Sequence, residues 1–305
     1  MPDTIRLVYS KDYAVDIGSH VFPTSKYKLI KEKLSKSSAF TNRLTFVQPL
    51  PAPDEDILAV HDREYLYKLK NGTLTEEEIL RLELPLSGEL VNASILCCGG
   101  TIMASEIAFK DSLGIHIGGG FHHAFPGHGE GFCVLNDIAV AVRRAIKKKD
   151  AKKAVIIDCD LHHGNGTAAI FRDDPEVFTF SIHQEHNYPY LKPRSSLDIG
   201  LRDRATDNEY LSALQDNIPR ILFEFKPDLI MYVAGADPYK GDQIGGLSLT
   251  KEGLLERDEF VFRQAKSFDI PIAVVLAGGY AYNNNDTVEI HYNTIETGLR
   301  LFYGK

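Results

Sequence analysis

Five short, largely apolar runs, Leu113–Ile117, Ala154–Ile157, Val177–Ile182, Leu229–Val233 and Ile272–Leu276, recur along the chain with helical stretches between them. Runs this short, with little polar alternation, read as strands buried on both faces, and such strands belong to parallel sheets covered by helices. Ile5–Tyr9 and Thr45–Val47 add two strands ahead of them. Early helices are expected from a Thr24 cap with Tyr27, Ile30 and Leu34 on one face, from Asp54 to near His61, and as an acidic surface helix within 72–86. Longer ones follow over Gly88–Lys110, Asn136–Lys149, Gly164–Phe171, Asp207–Phe225, Lys251–Phe268 and Asp286–Phe302. With strand and helix alternating and no linker, repeat or low-complexity tract, residues 1–305 read as one α/β domain. Its architecture is an open, mostly parallel β-sheet with helices on both faces.

Ligands of open parallel sheets sit beyond the carboxyl ends of the strands, and four of these ends carry residues that packing does not require. After Ile117 comes Gly118-Gly119-Gly120-Phe121-His122-His123, inside a glycine-rich stretch that runs to Cys133 and implies backbone brought close to something. After Ile157 come Asp158, Asp160, His162 and His163, then Gly164-Asn165-Gly166. Asp237 follows the Leu229–Val233 run, and Gly278-Gly279-Tyr280 follows Leu276. Each cluster alone has a local explanation as a polar turn or cap. Their shared place at the same end of different strands does not.

Asp160, His162 and Asp237 make a three-ligand set that leaves one position open, as a catalytic zinc requires. So oxygen-rich a set also accepts Fe²⁺. His122 and His123 are candidate general bases beside it, Tyr280 a donor that steadies an oxyanion from its glycine hinge, and Asp158 a partner that orients a histidine. His61 at a helix end and His163 read as structural, and Cys97 and Cys98 as core filler.

The net charge of −8, 34 basic against 42 acidic residues, argues against nucleic acid as a partner; the one lysine run, Lys147-Lys148-Lys149, suits a helix end. Four cysteines form no Cys-x-x-Cys pair and no disulfide framework, which points to a reducing, cytoplasmic setting. No apolar run approaches the roughly 18 residues that span a bilayer, so no membrane association is expected. The segment 184–196 is long, proline-bearing and aromatic, and connections of that kind are usually functional or mobile.

Five motifs in order, Gly-Gly-Phe-His122-His123-Ala, Gly131-Phe132-Cys133-x-x-Asn136-Asp137, Asp158-x-Asp160-x-His162-His163-Gly-Asn165-Gly, Gly235-Ala-Asp237 and Gly-Gly-Tyr280, resemble the zinc-dependent histone deacetylase family. Asn165, the run from Asp237 through Asp242 to Ser248 and the Tyr188-Pro189 loop look closest to its class IV branch and bacterial relatives. The resemblance implies the arginase/deacetylase fold and hydrolysis of an N-acyl amide, typically acyl-lysine in a peptide or protein. By matching positions, Asp160, His162 and Asp237 would bind zinc, His122 and His123 handle protons, and Tyr280 polarise the carbonyl. Phe132, with Gly131 and Tyr188, would line the substrate tunnel. Family members also often hold structural K⁺; the matching positions are Asp158, Asp160, His162, Ser181 and Ile182, and for a second ion Phe171, Asp174 and Val177.

One departure bears on the chemistry. In many family members aspartates back both tandem histidines, whereas here His122 matches the one paired with Asp158 and His123 would face neutral Asn165. A carboxylate favours the imidazolium, so His122 is expected to be the more readily protonated and His123 the neutral base. An arginase-like pair of manganese ions would need further carboxylates where Gly164 and Tyr239 stand. A deacetylase for small acylated amines, such as acetylated polyamines, and a non-catalytic binding module on the same fold are the remaining alternatives.

Overall fold

The computed structural model describes residues 4–37, 40 and 43–304. In chain order the elements are β1 Ile5–Val8, α1 Lys26–Lys36, β2 Leu44–Val47, α2 Asp54–Ile57, α3 Arg63–Asn71, α4 Glu76–Leu82, α5 Gly88–Asp111, β3 Leu113–His116 and α6 Asp137–Lys147. They continue with β4 Ala154–Asp158, α7 Asn165–Ile170, β5 Val177–Gln184, β6 Leu197–Leu201, α8 Asp207–Phe225, β7 Leu229–Val233, α9 Lys251–Ser267, β8 Ile272–Val275 and α10 Asn284–Tyr303.

Among the described residues the eight strands form one open sheet in the order β2-β1-β3-β8-β7-β4-β5-β6. Every pairing is parallel, so the sheet is more uniform than the mostly parallel one expected. Every residue of β3, β4, β7 and β8 is buried, which requires cover on both faces and explains their apolar composition. One core cluster runs from Ile5 to Tyr303.

The topology also places the site. The four strands whose exits carry the unusual residues, β3, β8, β7 and β4, are consecutive neighbours at the centre of the sheet. In register, Asp158 pairs with Val233 and Val233 with Val275, so these strands end level with one another. Neighbouring strands lie about 4.8 Å apart, which brings loops separated by more than a hundred residues within reach of a single ion.

Helix α5 is long and apolar enough, by length and composition, to cross a bilayer, which corrects the expectation that no such segment exists. Its apolar surface is used inside the fold: 78% of its most apolar 18-residue stretch is buried, and the helix packs on α6, β3 and β8.

Candidate active site

Backbone N–H groups fix both carboxylates of the expected ligand set, on both oxygens of Asp160, where His162 N–H donates to Oδ1 at 2.9 Å, and on one oxygen of Asp237. Gly278 N–H donates to Asp160 Oδ2 at 2.8 Å, and Leu161 N–H to Asp237 Oδ1 at 2.9 Å. The other oxygens, Asp160 Oδ1 and Asp237 Oδ2, each lie 3.2 Å from His162 Nδ1. Asp237 Oδ2 is buried and satisfies no hydrogen-bond geometry. Ligand atoms of all three residues lie within 4.8 Å of one another. A buried orphan oxygen, a second carboxylate and an imidazole converging on one point fit a divalent ion of the zinc or Fe²⁺ kind.

The electrostatics agree. Burial, followed by the charge of Asp160, pushes the Asp237 carboxyl above its usual range. Against burial, the adjoining Asp160 and Asp237 carboxylates raise His162 to about 10. Two buried carboxylates drawn to one imidazole make a point of negative potential that suits a cation. Gly278 has no room for a side chain: a Cβ there would stand 2.1 Å from Asp237 Oδ2 and 2.6 Å from Asp160 Oδ2. Gly278 therefore serves close packing on the carboxylates, while Gly279, at φ +148°, makes the turn to Tyr280.

The tandem histidines lie beside this set. His122 Nδ1–H donates to Asp158 Oδ2 at 2.7 Å, His123 Nδ1–H to Asn165 Oδ1 at 2.7 Å, and the two Nε2 atoms are 3.1 Å apart. Only one of those Nε2 atoms can carry a proton. Burial disfavours charge on both rings, but Asp158 and Asp160 overcome it and raise His122 to about 9. Burial and then the neighbouring His122 and His162 push His123 well below the ordinary histidine value.

Tyr280 is held through its backbone, whose N–H donates to Asp242 Oδ2 at 2.7 Å; burial and then Asp160 keep its phenol protonated well past the usual range. Phe132 adopts φ +66°, a rare conformation for a bulky residue, and its N–H is fastened to Leu82 O at 3.1 Å. The ring so placed stacks on Phe22 and meets Tyr280 edge-on. Gly131 before it lies against the His123 and Tyr188 rings, 2.8 and 2.9 Å from where a Cβ would be.

These side chains enclose a tight inner cavity of about 20 Å³ lined by Asp160, His162, His122, His123, Phe132 and Tyr280 among others. Outside it is a vestibule of about 190 Å³ lined by Glu83, His123, Gly131, Phe132, Asn187, Tyr188, Ile244, His162 and Tyr280. His123, Gly131, Phe132, His162 and Tyr280 belong to both. The segment after β5 thus contributes Tyr188 and Asn187 to the vestibule wall.

Lys26 and Glu130 are also at the site and lie outside the sequence reading. Lys26 is fully buried, donates to Ala277 O at 2.6 Å and lies over the Phe22, Tyr27 and Tyr280 rings. Burial lowers it to about 8 against the pull of Asp237, Asp160 and Asp242. Glu130 accepts from Asn165 Nδ2 at 2.6 Å and from the Tyr188 hydroxyl at 3.0 Å. The two histidines read as structural do bond elsewhere. His61 Nδ1 donates to Phe125 O and its Nε2 accepts from Asn136 N–H, both at 3.0 Å, while His163 Nε2 lies 3.0 Å from Asp198.

The positions matched to potassium lie in two groups. Asp158 and Ser181 are register partners on β4 and β5, adjoining Asp160, His162 and Ile182. Phe171, Asp174 and Val177 follow one another by backbone bonds, and the Asp174 carboxylate takes Arg143 Nη2 at 2.6 Å.

Comparison with known proteins agrees with this geometry. A family profile described as the histone deacetylase domain matches residues 20–294. An uncharacterized protein of Picosynechococcus is 40% identical over 93% of this chain and 95% of its own length. Histone deacetylase 2 of Arabidopsis thaliana is 31% identical over 90% of this chain and 74% of its own. The acetoin utilization protein AcuC of Staphylococcus aureus is 28% identical over 87% of this chain and 73% of its own. The crystal structure of the HDA15 HD domain superposes with a TM-score of 0.80 at 21% identity, covering 98% of this chain and 89% of that one, and shows the same fold.

Proposed function

The chain belongs to the histone deacetylase family, and on that premise we propose that it is a metal-dependent amidohydrolase that removes an acyl group, acetyl or longer, from the amine of a lysine side chain. The observation that carries this reading is the passage itself. An aromatic vestibule leads to a cavity lined by two of the three convergent ligands, Asp160 and His162, by two histidines and by a tyrosine, with Asp237 buried beside those ligands. Such a passage suits a slender chain that presents an amide at its tip.

Asp160, His162 and Asp237 would hold the ion, zinc or Fe²⁺, which supplies Lewis acidity to the acyl carbonyl and acidifies the attacking water. His123, the neutral ring, accepts the proton as the water oxygen bonds to the carbonyl carbon. Tyr280 donates a hydrogen bond to the oxygen that becomes negative. His122, held protonated by Asp158, gives its proton to the nitrogen as the carbon–nitrogen bond breaks, leaving an amine and a carboxylic acid; the acid's proton and the one held on His123 then recharge His122 and protonate the amine, so that carboxylate and ammonium leave. Asp158 and Asn165 hold the two rings in place throughout.

We also read residues 1–305 as one catalytic domain, supported by a core cluster that reaches from Ile5 to Tyr303; residues 1–3, 38, 39, 41, 42 and 305 lie outside the described ones. Structural K⁺ at the positions named above is part of the same proposal. A cytoplasmic setting is supported by four buried free cysteines.

A small acylated polyamine is the second reading, because the Glu83 carboxylate lines the vestibule and would pair with a further ammonium. Side-by-side hydrolysis of an acetyl-lysine peptide, a longer acyl-lysine peptide and an acetylpolyamine tests both. Preference for either peptide supports the first reading, and preference for the polyamine, lost in Glu83→Gln, replaces it with the second.

A further inference from the structure

We propose that Glu130 is a positioning residue for proton transfer: through the Asn165 amide it decides which ring nitrogen of His123 carries the proton. The inference rests on the reading of His123 as the base. An amide is nearly symmetric in shape, and its two ends differ in that one only donates and the other only accepts. A carboxylate only accepts. With Glu130 Oε1 2.6 Å from Asn165 Nδ2, the donating end of the amide is committed to Glu130. The carbonyl end is thereby turned on His123, 2.7 Å from Nδ1. A carbonyl asks for a hydrogen, so the proton of neutral His123 stays on Nδ1 and the lone pair on Nε2, the atom that lies 3.1 Å from His122 Nε2 at the reacting end.

With the amide reversed, its NH₂ would face Nδ1, the ring proton would move to Nε2, and His123 would have no lone pair where it is needed. An aspartate at position 165 would accept from Nδ1 either way round and need no such help. Glu130 supplies to an asparagine what an aspartate carries in itself.

Glu130 is held for the task. The Tyr188 hydroxyl bonds the same oxygen at 3.0 Å and His128 Nε2 lies 3.3 Å from the other. Its backbone is closed in a tight turn with Cys133, N–H to carbonyl in both directions at 3.1 and 2.9 Å. Against burial, its bonds with His128, Asn165 and Tyr188 hold the carboxyl below the usual range, which keeps it an acceptor.

The test is a pair of variants read in two ways. Glu130→Ala should lower kcat about tenfold or more with KM little changed. Adding Asn165→Asp to it should restore kcat to within about threefold of the unaltered protein, since a carboxylate accepts in either orientation. Independently of turnover, two-bond ¹H–¹⁵N spectra of metal-free protein labelled at histidine, with His123 assigned by its loss in His123→Ala, should show Nδ1–H in the unaltered chain. In Glu130→Ala they should show a shift toward Nε2–H. An unchanged tautomer in Glu130→Ala, or no rescue by Asn165→Asp, overturns the proposal. If no acylated amine is hydrolysed at all, the functional reading fails while the tautomer spectra still decide the role of Glu130.

Discussion

Asp237 Oδ2 lies 3.2 Å from His162 Nδ1 without satisfying a hydrogen bond, deep in the protein and beside a second carboxylate. Groups placed this way repel or stay unsatisfied until a cation joins them. Asp237→Asn should therefore weaken metal binding by at least about a hundredfold, while the metal-free protein keeps or gains thermal stability as the like-charge repulsion with Asp160 goes. Thermal melts with and without added Zn²⁺ check this: the unaltered protein gains stability on adding metal and the variant does not.

Gly278 offers a separate handle on the same centre. A methyl group there would stand 2.1 Å from Asp237 Oδ2, so Gly278→Ala must push the ligand carboxylates off their positions. Metal content of the purified variant should fall well below one per chain, with the far-ultraviolet dichroism of the fold retained. A fully metallated Gly278→Ala would mean that the carboxylates are not held where described.

The two histidines should separate kinetically. His123→Ala removes the proposed base and should lower kcat by about 10² to 10⁴ with KM little changed. His122→Ala removes the proposed proton donor and should be the milder change, most evident for substrates with a poor leaving amine. Near-normal turnover in His123→Ala together with its loss in His122→Ala would reverse the assignment.

His61 connects acid lability to the site. It bridges Phe125 O and Asn136 N–H, which fastens the loop carrying the tandem histidines, and burial lowers it from 6.5 to about 4. The unfolded chain then binds the proton more readily than the folded one. Stability is full above pH 6.5 and falls as the pH drops toward 4, by about 3 kcal/mol when complete. His116 and His183, each lowered to about 3 chiefly by burial, act in the same direction. Urea denaturation at pH 7 and pH 5 should show His61→Asn losing less stability between the two than the unaltered protein. An equal loss would assign the acid sensitivity elsewhere.

Much of this was legible in the residues. The central strands announce themselves because burial on both faces forces near-uniform apolar composition, and the site follows from which strand ends carry Asp, His and Gly-Tyr. What escaped did so for physical reasons. Strand β6, Leu197–Leu201, lies at the sheet edge, only partly buried, and its Gly200 backs onto Glu185 rather than advertising a strand. Helix α3 does carry a signal, with Tyr65, Leu66 and Leu69 on a buried face, but it is short and set between two other short helices. Helix α8 begins at Asp207 as expected and is capped by Thr206, whose N–H and hydroxyl both donate to Glu209 Oε2 at 2.9 Å. Lys26 looks like any helix lysine; what holds it inside is acidic charge from Asp160, Asp237 and Asp242, far along the chain. Glu130 is hidden in the same way, since its partners Asn165 and Tyr188 meet it only in the fold.

The most direct measurement of the central claim is hydrolysis of an acetyl-lysine peptide by protein stripped of metal with a chelator and then given Zn²⁺ or Fe²⁺ in increments. The account predicts no turnover in the stripped protein and recovery that saturates at one ion per chain, with Asp160→Asn and His162→Ala failing to recover. One ion bound per chain without hydrolysis of acetyl-lysine, longer acyl-lysine or acetylpolyamine would contradict it, and would make the protein a metal-holding binding module on a deacetylase fold.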